Sequence, residues 1–439
     1  MKILIINGSP RGRYSVTLQS CLYLEKNFPE HEFEFLNVGS GIHIFERDMS
    51  GAVEAIVSAE LLVFAYPVYC SLVPSQLHRF IELLKAANAD LRGICATQLS
   101  TSAHFFDITA HRFIEDNCRD MGMRVIRGLS AGTEDMLSEQ GRAELEAFLR
   151  YAVFCAAMPD AEAPVPYTPP PPMPYVRRYE PVKKRDGFDT VIVGDLREDD
   201  ESLRAMIKDF DAVYPYRTRF VNIADFPFRG GCLGCMSCTA GGRCVHDDGF
   251  DRFLQDNIFN ADAIVYAFTL RDHSMGSLFK LFDDRQFFCG CRAPVRGKPV
   301  AYIVNGDISA EENLRTVLGA RSQTGRNFLA GYACSAAGIS AVSASLAYAL
   351  ENACLPPKNF YAAAGMKLLR DLVWSRRGIL YADHDYFRSN GLYDFPQRHL
   401  PRSVLMGLLA LLMRSPRLRP RLAARINRSR LSPYKKLLK

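Results

Sequence analysis

Met1-Lys2-Ile3-Leu4-Ile5-Ile6-Asn7-Gly8-Ser9-Pro10-Arg11-Gly12-Arg13-Tyr14-Ser15-Val16-Thr17 is the stretch that decides the fold. Ile3 to Ile6 is a short apolar run rich in β-branched residues that stops at Asn-Gly-Ser-Pro. It reads as a buried strand feeding a turn and then a helix over Thr17 to Asn27. Outward from it the same alternation continues. A strand at Glu32 to Leu36 precedes a helix at Ser50 to Ser58, and a strand at Leu61 to Ala65 breaks at Tyr66-Pro67 before a helix at Gln76 to Ala87. A strand at Ile94 to Gln98, a helix at Ala110 to Met121, a strand at Arg124 to Leu129 and a helix at Glu139 to Phe154 complete the unit. Five strands alternating with five helices imply an α/β fold with a doubly wound parallel sheet.

Residues 163–181 carry eight prolines, which cannot join a sheet ladder or a helix interior, so 161–186 reads as a linker between a first half (1–160) and a second (187–354). The second half repeats the order from Thr190 to Val193 onward. Ala65-Tyr66-Pro67-Val68-Tyr69 aligns without a gap to Ala267-Phe268-Thr269-Leu270-Arg271, and Phe80-Ile81-Glu82 meets Phe282-Asp283-Asp284. From the first-strand glycine to the end of strand three, the first half spends 58 residues and the second 74. The excess is about the size of a cysteine-rich block, so the chain reads as a tandem duplication in which one copy holds that block. Residues 355–439 form a third region, a helical, basic C-terminal extension.

With 439 residues, 48% hydrophobic and 23% charged, the chain has the balance of a globular protein, which excludes disorder, collagen-like repeats and a multi-span membrane protein. The net charge of +6 is concentrated: residues 401–439 hold eleven Lys and Arg and no acid, leaving −5 on residues 1–400. The body therefore offers no footprint for nucleic acid. Of thirteen cysteines, four crowd into thirteen residues, which points to metal rather than a disulfide framework. The apolar run at Ile3 to Ile6 is too short for a signal peptide, and the expected compartment is the reducing cytoplasm.

Gly8 to Thr17 lies where a helix N-terminus presents unpaired N–H groups and a positive dipole end, with hydroxyls at Ser9, Ser15 and Thr17 and charge at Arg11. It suits a phosphate, yet it lacks both G-x-G-x-x-G and G-x-x-x-x-G-K-[ST], which disfavours a Rossmann dinucleotide site or a nucleoside triphosphatase. Asn7-Gly8-Ser9-Pro10-Arg11 together with Tyr66-Pro67-Val68-Tyr69 resembles the flavodoxin-like NADPH-dependent flavin reductase family. The resemblance implies that FMN binds through Ser9, Arg11, Ser15, Val16 and Thr17 at its phosphate. It also implies that Tyr66, Pro67, Val68, Tyr69 and Ser71 lie against its ring, at the carboxyl ends of strands one and three. The matching loop of the second half, Gly194-Asp195-Leu196-Arg197-Glu198-Asp199-Asp200-Glu201, carries five acids that would repel a phosphate dianion, so that half is expected to lack FMN.

Cys232-Leu-Gly-Cys235-Met-Ser-Cys238-Thr-Ala-Gly-Gly-Arg-Cys244 places three thiols at three-residue spacing on one glycine-rich loop. This is the compact ligation of iron–sulfur clusters, whereas structural zinc usually takes two knuckles separated by a longer span; zinc and metal-free redox thiols stay as alternatives. The motif, followed by Asp247-Asp248, resembles the iron–sulfur flavoproteins, a branch of the same family. In that branch these cysteines hold a four-iron four-sulfur (4Fe-4S) cluster between strand two and the next helix, and each cluster lies close to a neighbouring subunit's flavin. Cys289-Gly-Cys291 is a further pair, better read as two small buried residues in a turn than as ligands; Ser100 to Asp107 follows strand four and is a candidate lining of the flavin pocket, with His104 better read as a surface or satisfied residue.

The expected function is an FMN- and 4Fe-4S-dependent oxidoreductase, with NAD(P)H as reductant and a small-molecule or protein donor or acceptor. The alternatives are a cluster-free NAD(P)H-dependent FMN or quinone reductase and a non-enzymatic redox carrier or sensor. No catalytic acid or base is assigned, and association into homo-oligomers is left open. In the extension, Gly365 to Trp374 reads as a helix, and the apolar stretch Ser403 to Met413 is too short to span a bilayer, which needs ~20 residues. It is either a helix docked on the domains with a solvated basic end or an anchor to a membrane surface or protein partner.

Overall fold

The computed structural model describes residues 1–158, 175–178, 180–292, 294–396 and 400–422; most of the linker read from the prolines, and residues 423–439, lie outside them. In the first half the order is β1 (Lys2–Asn7), α1 (Val16–Asn27), β2 (Glu32–Leu36), α2 (Val38–Phe45), α3 (Ser50–Ser58), β3 (Leu61–Pro67), α4 (Ser75–Ala86), β4 (Cys95–Ser102), α5 (Asp107–Asp120), β5 (Arg124–Val125), β6 (Leu129–Gly132) and α6 (Glu139–Ala157). The second half runs β7 (Asp189–Gly194), α7 (Glu201–Val213), β8 (Arg217–Asn222), α8 (Cys238–Gly241), α9 (Phe250–Leu254), β9 (Ala263–Thr269), α10 (Ser277–Arg285), β10 (Val300–Asn305), α11 (Glu312–Thr324), β11 (Leu329–Ala333) and α12 (Ala336–Glu351). After it come α13 (Phe360–Ser375), α14 (Tyr381–Ser389) and α15 (Leu400–Met413).

Both sheets are parallel and doubly wound. The first has the order β2-β1-β3-β4-β5 with β6 also on β4, and the second β8-β7-β9-β10-β11, the flavodoxin-like 2-1-3-4-5 arrangement twice over. The central strands are continuous apolar runs because helices cover both faces: Ile3 to Ile6, Leu61 to Tyr66 and Val191 to Val193 are buried. Two compact units emerge, Met1–His384 with both sheets and Asp385–Lys439.

Two elements differ from the sequence reading. The fifth strand is split, because three residues (126–128) on it face two (97–98) on β4, a bulge at which Gly128 packs directly on Gln98. Helix α2 is added. Its Gly39 and Gly41 lower helix propensity, but Gly39 is required where the helix touches the Gly8–Ser9 backbone, into which any side chain would run.

The two halves meet about a pseudo-two-fold axis through α4 and α10, whose residues correspond at an offset of 202. Ser75 N–H, at the start of α4, donates to Asp284 Oδ2 of α10 at 2.8 Å. Reciprocally, Ser277 N–H, at the start of α10, donates to Glu82 Oε1 of α4 at 2.7 Å, and its hydroxyl donates to Glu82 Oε2 at 2.6 Å. Each helix N-terminus is thus capped by the other half's carboxylate. Around this centre Arg321 donates to Cys70 O (2.5 Å), Asn117 to Asp272 O (3.2 Å) and Asn313 to Thr109 O (3.0 Å). Asp284 also pairs with the fully buried Lys280. Truncation by Asp284→Ala leaves that ammonium only the more distant Asp283 (3.9 Å), and denaturant titration should show a loss of about 3 kcal/mol.

His273 closes one side of the interface, its Nε2 2.9 Å from Asp120 Oδ2 and its Nδ1 3.1 Å from Glu311 Oε1. Burial alone would lower its pKa, but the hydrogen bonds and charges of those two carboxylates outweigh it and push the imidazole up to about 10. Because the folded value lies above the unfolded one of about 6.5, the clamp contributes fully below pH ~6.5 and its contribution is lost as pH rises towards 10. The stability gap between the wild type and His273→Gln, measured by urea denaturation, should be about 2 kcal/mol near pH 6 and shrink steadily towards pH 10.

Candidate active site

The loop after β1 turns tightly, with Gly12 N–H returning to Ser9 O and Ser15 N–H to Gly12 O. Ser15 is the N-cap of α1, and its Oγ accepts from Leu18 N–H at 3.3 Å; Ser9 Oγ accepts from Arg11 N–H at 3.3 Å. Both hydroxyls therefore keep their own proton to donate, beside the free N–H groups of the first helical turn at Val16 and Thr17. Thr17 Oγ1 lies 2.6 Å from Thr101 Oγ1 at the end of β4, which ties this loop to a third strand. Ser9, Ser15 and Thr17 are buried, while Arg11 is exposed at the rim.

Beyond β3, Val68 N–H bonds Thr101 O, and Tyr69 and Leu72 exchange backbone hydrogen bonds across a tight turn. That turn puts Cys70 and Ser71 at φ 46° and 68°, the left-handed region. Ser71 is buried, and its carbonyl accepts the Thr109 hydroxyl at 2.6 Å. Pro67 ends β3, and Tyr66 lies wholly inside the core, its hydroxyl donating to Gln98 Oε1 at 2.6 Å. The second half repeats the turn with Asp272 and His273 at φ 51° and 59°.

The cysteine loop follows β8 and reaches across to the first half. Gln76 Nε2 of α4 donates to Cys232 O at 3.2 Å, and a side chain added at Gly234 would meet both the Tyr69 hydroxyl and the Arg11 side chain. Tyr69 is half-buried there; desolvation, with the nearby Cys232, pushes its phenol well up, and its ring packs edge-on against Phe287 (5.2 Å between centroids). Beneath the loop, Arg285 pairs with Asp248 (2.7 Å), both nearly inaccessible, and donates to Gly230 O; its guanidinium lies 5.0 Å from the Phe250 ring centre. His246 Nε2 lies 3.0 Å from Gly231 O. Burial pushes the Cys232 thiol up to about 12 and raises that of Cys238; Cys244 lies beside Arg285, and Cys235 is exposed.

The equivalent of the phosphate loop in the second half is filled by its own side chain. Asp200, the N-cap of α7 where Ser15 caps α1, accepts from the Thr269 hydroxyl (3.0 Å), from Arg271 Nη2 (3.2 Å) and from Arg197 N–H (3.4 Å). A carboxylate thus takes the donors that an anion would need.

A cavity of about 670 Å³ adjoins the meeting point, walled by Tyr69, Cys235, Cys238, Phe287, Arg321 of α11 and Leu369 of α13. Ala103, Phe105 and Phe106 also line it, but His104 turns to Asp107 (3.0 Å). Cys289 and Cys291 reach the same cavity; burial pushes both thiols up to about 12, and Cys291 N–H donates to Asp383 Oδ1. The sequence reading missed Gln76, Arg285 and α13 as parts of this region, whereas Thr101 falls in the Ser100 to Asp107 segment it named. For Gln76 the signal was its place at the start of α4, next to the capped Ser75.

Residues 1–131 match the family model of the NADPH-dependent FMN reductases. The matched region contains both loops, Ser9 to Thr17 and Tyr66 to Ser71, and extends to β6. Over 54 residues the chain is 30% identical to an iron–sulfur flavoprotein of Clostridioides difficile (strain 630), covering 12% of this chain and 24% of that relative. The chain thus spans about a quarter of the length of the curated relative it matches. Among solved structures, it is similar to an NADPH-quinone reductase from P. pentosaceus (13% identity, 36% of this chain and 100% of that one, TM-score 0.30). It is also similar to an FMN-dependent NADH-azoreductase from Bacillus anthracis in complex with FMN (15% identity, 36% and 100% covered, TM-score 0.29).

Gly234 tests the contact between the halves. Its φ of +60° strains any other residue, and a methyl group there collides with the Tyr69 hydroxyl. Gly234→Ala should cost about 1–3 kcal/mol in denaturant titration, and Gly234→Ala with Tyr69→Phe, which removes the colliding oxygen, should recover part of it.

Proposed function

We propose that this chain is an FMN- and iron–sulfur-dependent oxidoreductase built as a duplicated flavodoxin-like unit, with FMN in the first half and a 4Fe-4S cluster on the cysteine loop of the second. What carries the reading is the seat of Cys232 to Cys235 on Gln76, Tyr69 and Arg11, the rim of the loops that the flavin would occupy. When bound, FMN supplies two-electron exchange with a nicotinamide and the cluster supplies one-electron exchange with an acceptor.

The residues present fit both groups. Ser9 and Ser15 offer hydroxyl protons and Thr17 its N–H at a helix N-terminus, Arg11 adds a positive charge, and among the described residues no carboxylate like Asp200 fills the place. Val68 and Tyr69 are held in one conformation by the paired turn, so that they can order a ring against the end of β3. Four free thiols stand on a loop anchored at its base by the buried Arg285–Asp248 pair, and Cys232, Cys235, Cys238 and Cys244 would be the ligands. Zinc also binds thiolates but exchanges no electrons, so it would make nothing of the closeness to Tyr69 and Arg11. The cavity beside Cys235 gives a nicotinamide or acceptor a place to approach. All thirteen cysteines are free, which suits a reducing compartment, the cytoplasm in this reading.

Anaerobically purified protein should contain about one FMN and four iron atoms per chain, with a broad visible absorbance that bleaches on reduction. Cys235→Ser should lose iron and keep FMN, whereas Arg11→Ala should weaken FMN about tenfold and keep iron. Zinc in place of iron, or loss of both groups in either variant, would overturn the assignment.

A further inference from the structure

We propose that the second compact unit docks the protein on an anionic lipid bilayer through α15 and the arginines that follow it. The helix reads Leu-Pro-Arg-Ser-Val-Leu-Met-Gly-Leu-Leu-Ala-Leu-Leu-Met, and Leu400, Val404, Leu405, Met406, Leu408, Leu411 and Leu412 are each 47–68% exposed. At 100° per residue its large apolar positions span an arc of about 240°, which also contains Arg402 near the start, and Ser403, Gly407 and Ala410 fill the remainder. A helix packed on a protein groove or coiled with a second copy needs an apolar stripe of about 100°, so either partner would leave most of this surface in water. A lipid leaflet covers the exposed side chains together, while Leu409 and Met413 are already half-buried.

Length and charge fix the mode of contact. Fourteen residues at about 1.5 Å each reach about 21 Å, short of the ~30 Å hydrocarbon core, and none of the described helices is long and apolar enough to cross a membrane. The helix therefore enters one leaflet. Its cations stand at its ends rather than along a face: Arg402 lies at the start, and Arg414, Arg417, Arg419 and Arg421, all exposed, lie beyond the end, where long side chains reach headgroups. Residues 401–439 carry eleven cations and no acid, against −5 on the remainder, so an anionic surface attracts this unit and not the sheets.

Full-length protein mixed with vesicles of phosphatidylcholine and phosphatidylglycerol (7:3) should co-sediment, with much weaker binding to pure phosphatidylcholine and to either at 0.5 M salt. Leu405→Glu with Leu408→Glu should abolish binding. Because both positions are exposed, the melting of the sheets should be unchanged. Arg417→Gln and Arg419→Gln should each weaken partitioning about fivefold. Failure to bind the mixed vesicles, equal sedimentation without lipid, or a discrete dimer in lipid-free buffer that Leu405→Glu dissolves would overturn the proposal, the last by showing that a second copy covers the helix.

Discussion

The exchange of carboxylates between α4 and α10 is the constraint on which the rest of the architecture depends. Helix N-termini leave four N–H groups without partners, and burying two such ends face to face would be costly without acceptors. Glu82 and Asp284 supply them, each from the opposite half. Glu82 shows how tightly they are held: burial opposes its ionisation, yet His78 and the hydroxyl and N–H of Ser277 keep its carboxyl below the usual range. Because these bonds set how the two sheets face each other, they also set where the loop after β8 lands on the loops after β1 and β3.

Within that frame the halves diverge at matched positions. Ser15 and Asp200 cap equivalent helices, but the first presents a proton and the second a charge that is already satisfied by Thr269, Arg271 and Arg197. Tyr69 and Arg271 hold equivalent turns, but the tyrosine faces the cysteine loop while the arginine turns inward to Asp200. A loop with donors to spare and its self-filled counterpart thus stand on one scaffold.

Much of this was legible because it is local or periodic. The β-branched runs marked the strands, and the gapless offset from Ala65 to Ala267 aligned β3 with β9 residue for residue. The sequence places five acids after Gly194, and one of them, Asp200, takes the Thr269, Arg271 and Arg197 donors. What escaped has long-range causes. α2 survives its glycines only because Gly39 must touch Ser9, and the bulge at residues 126–128 answers the packing of Gln98. Arg285 gains its role from Asp248, 37 residues away, and α13 walls the cavity by packing on α11, which no spacing within either segment encodes.

Carrying both halves on one polypeptide has a consequence for heredity. In a self-pairing dimer every substitution is felt twice, once on each side of the axis, so a residue must suit both roles at once. Here a codon change lands on one side alone. His78 stands where its counterpart is Lys280, so the two sides of the shared contact differ in charge. The two faces of the shared contact can therefore be selected separately.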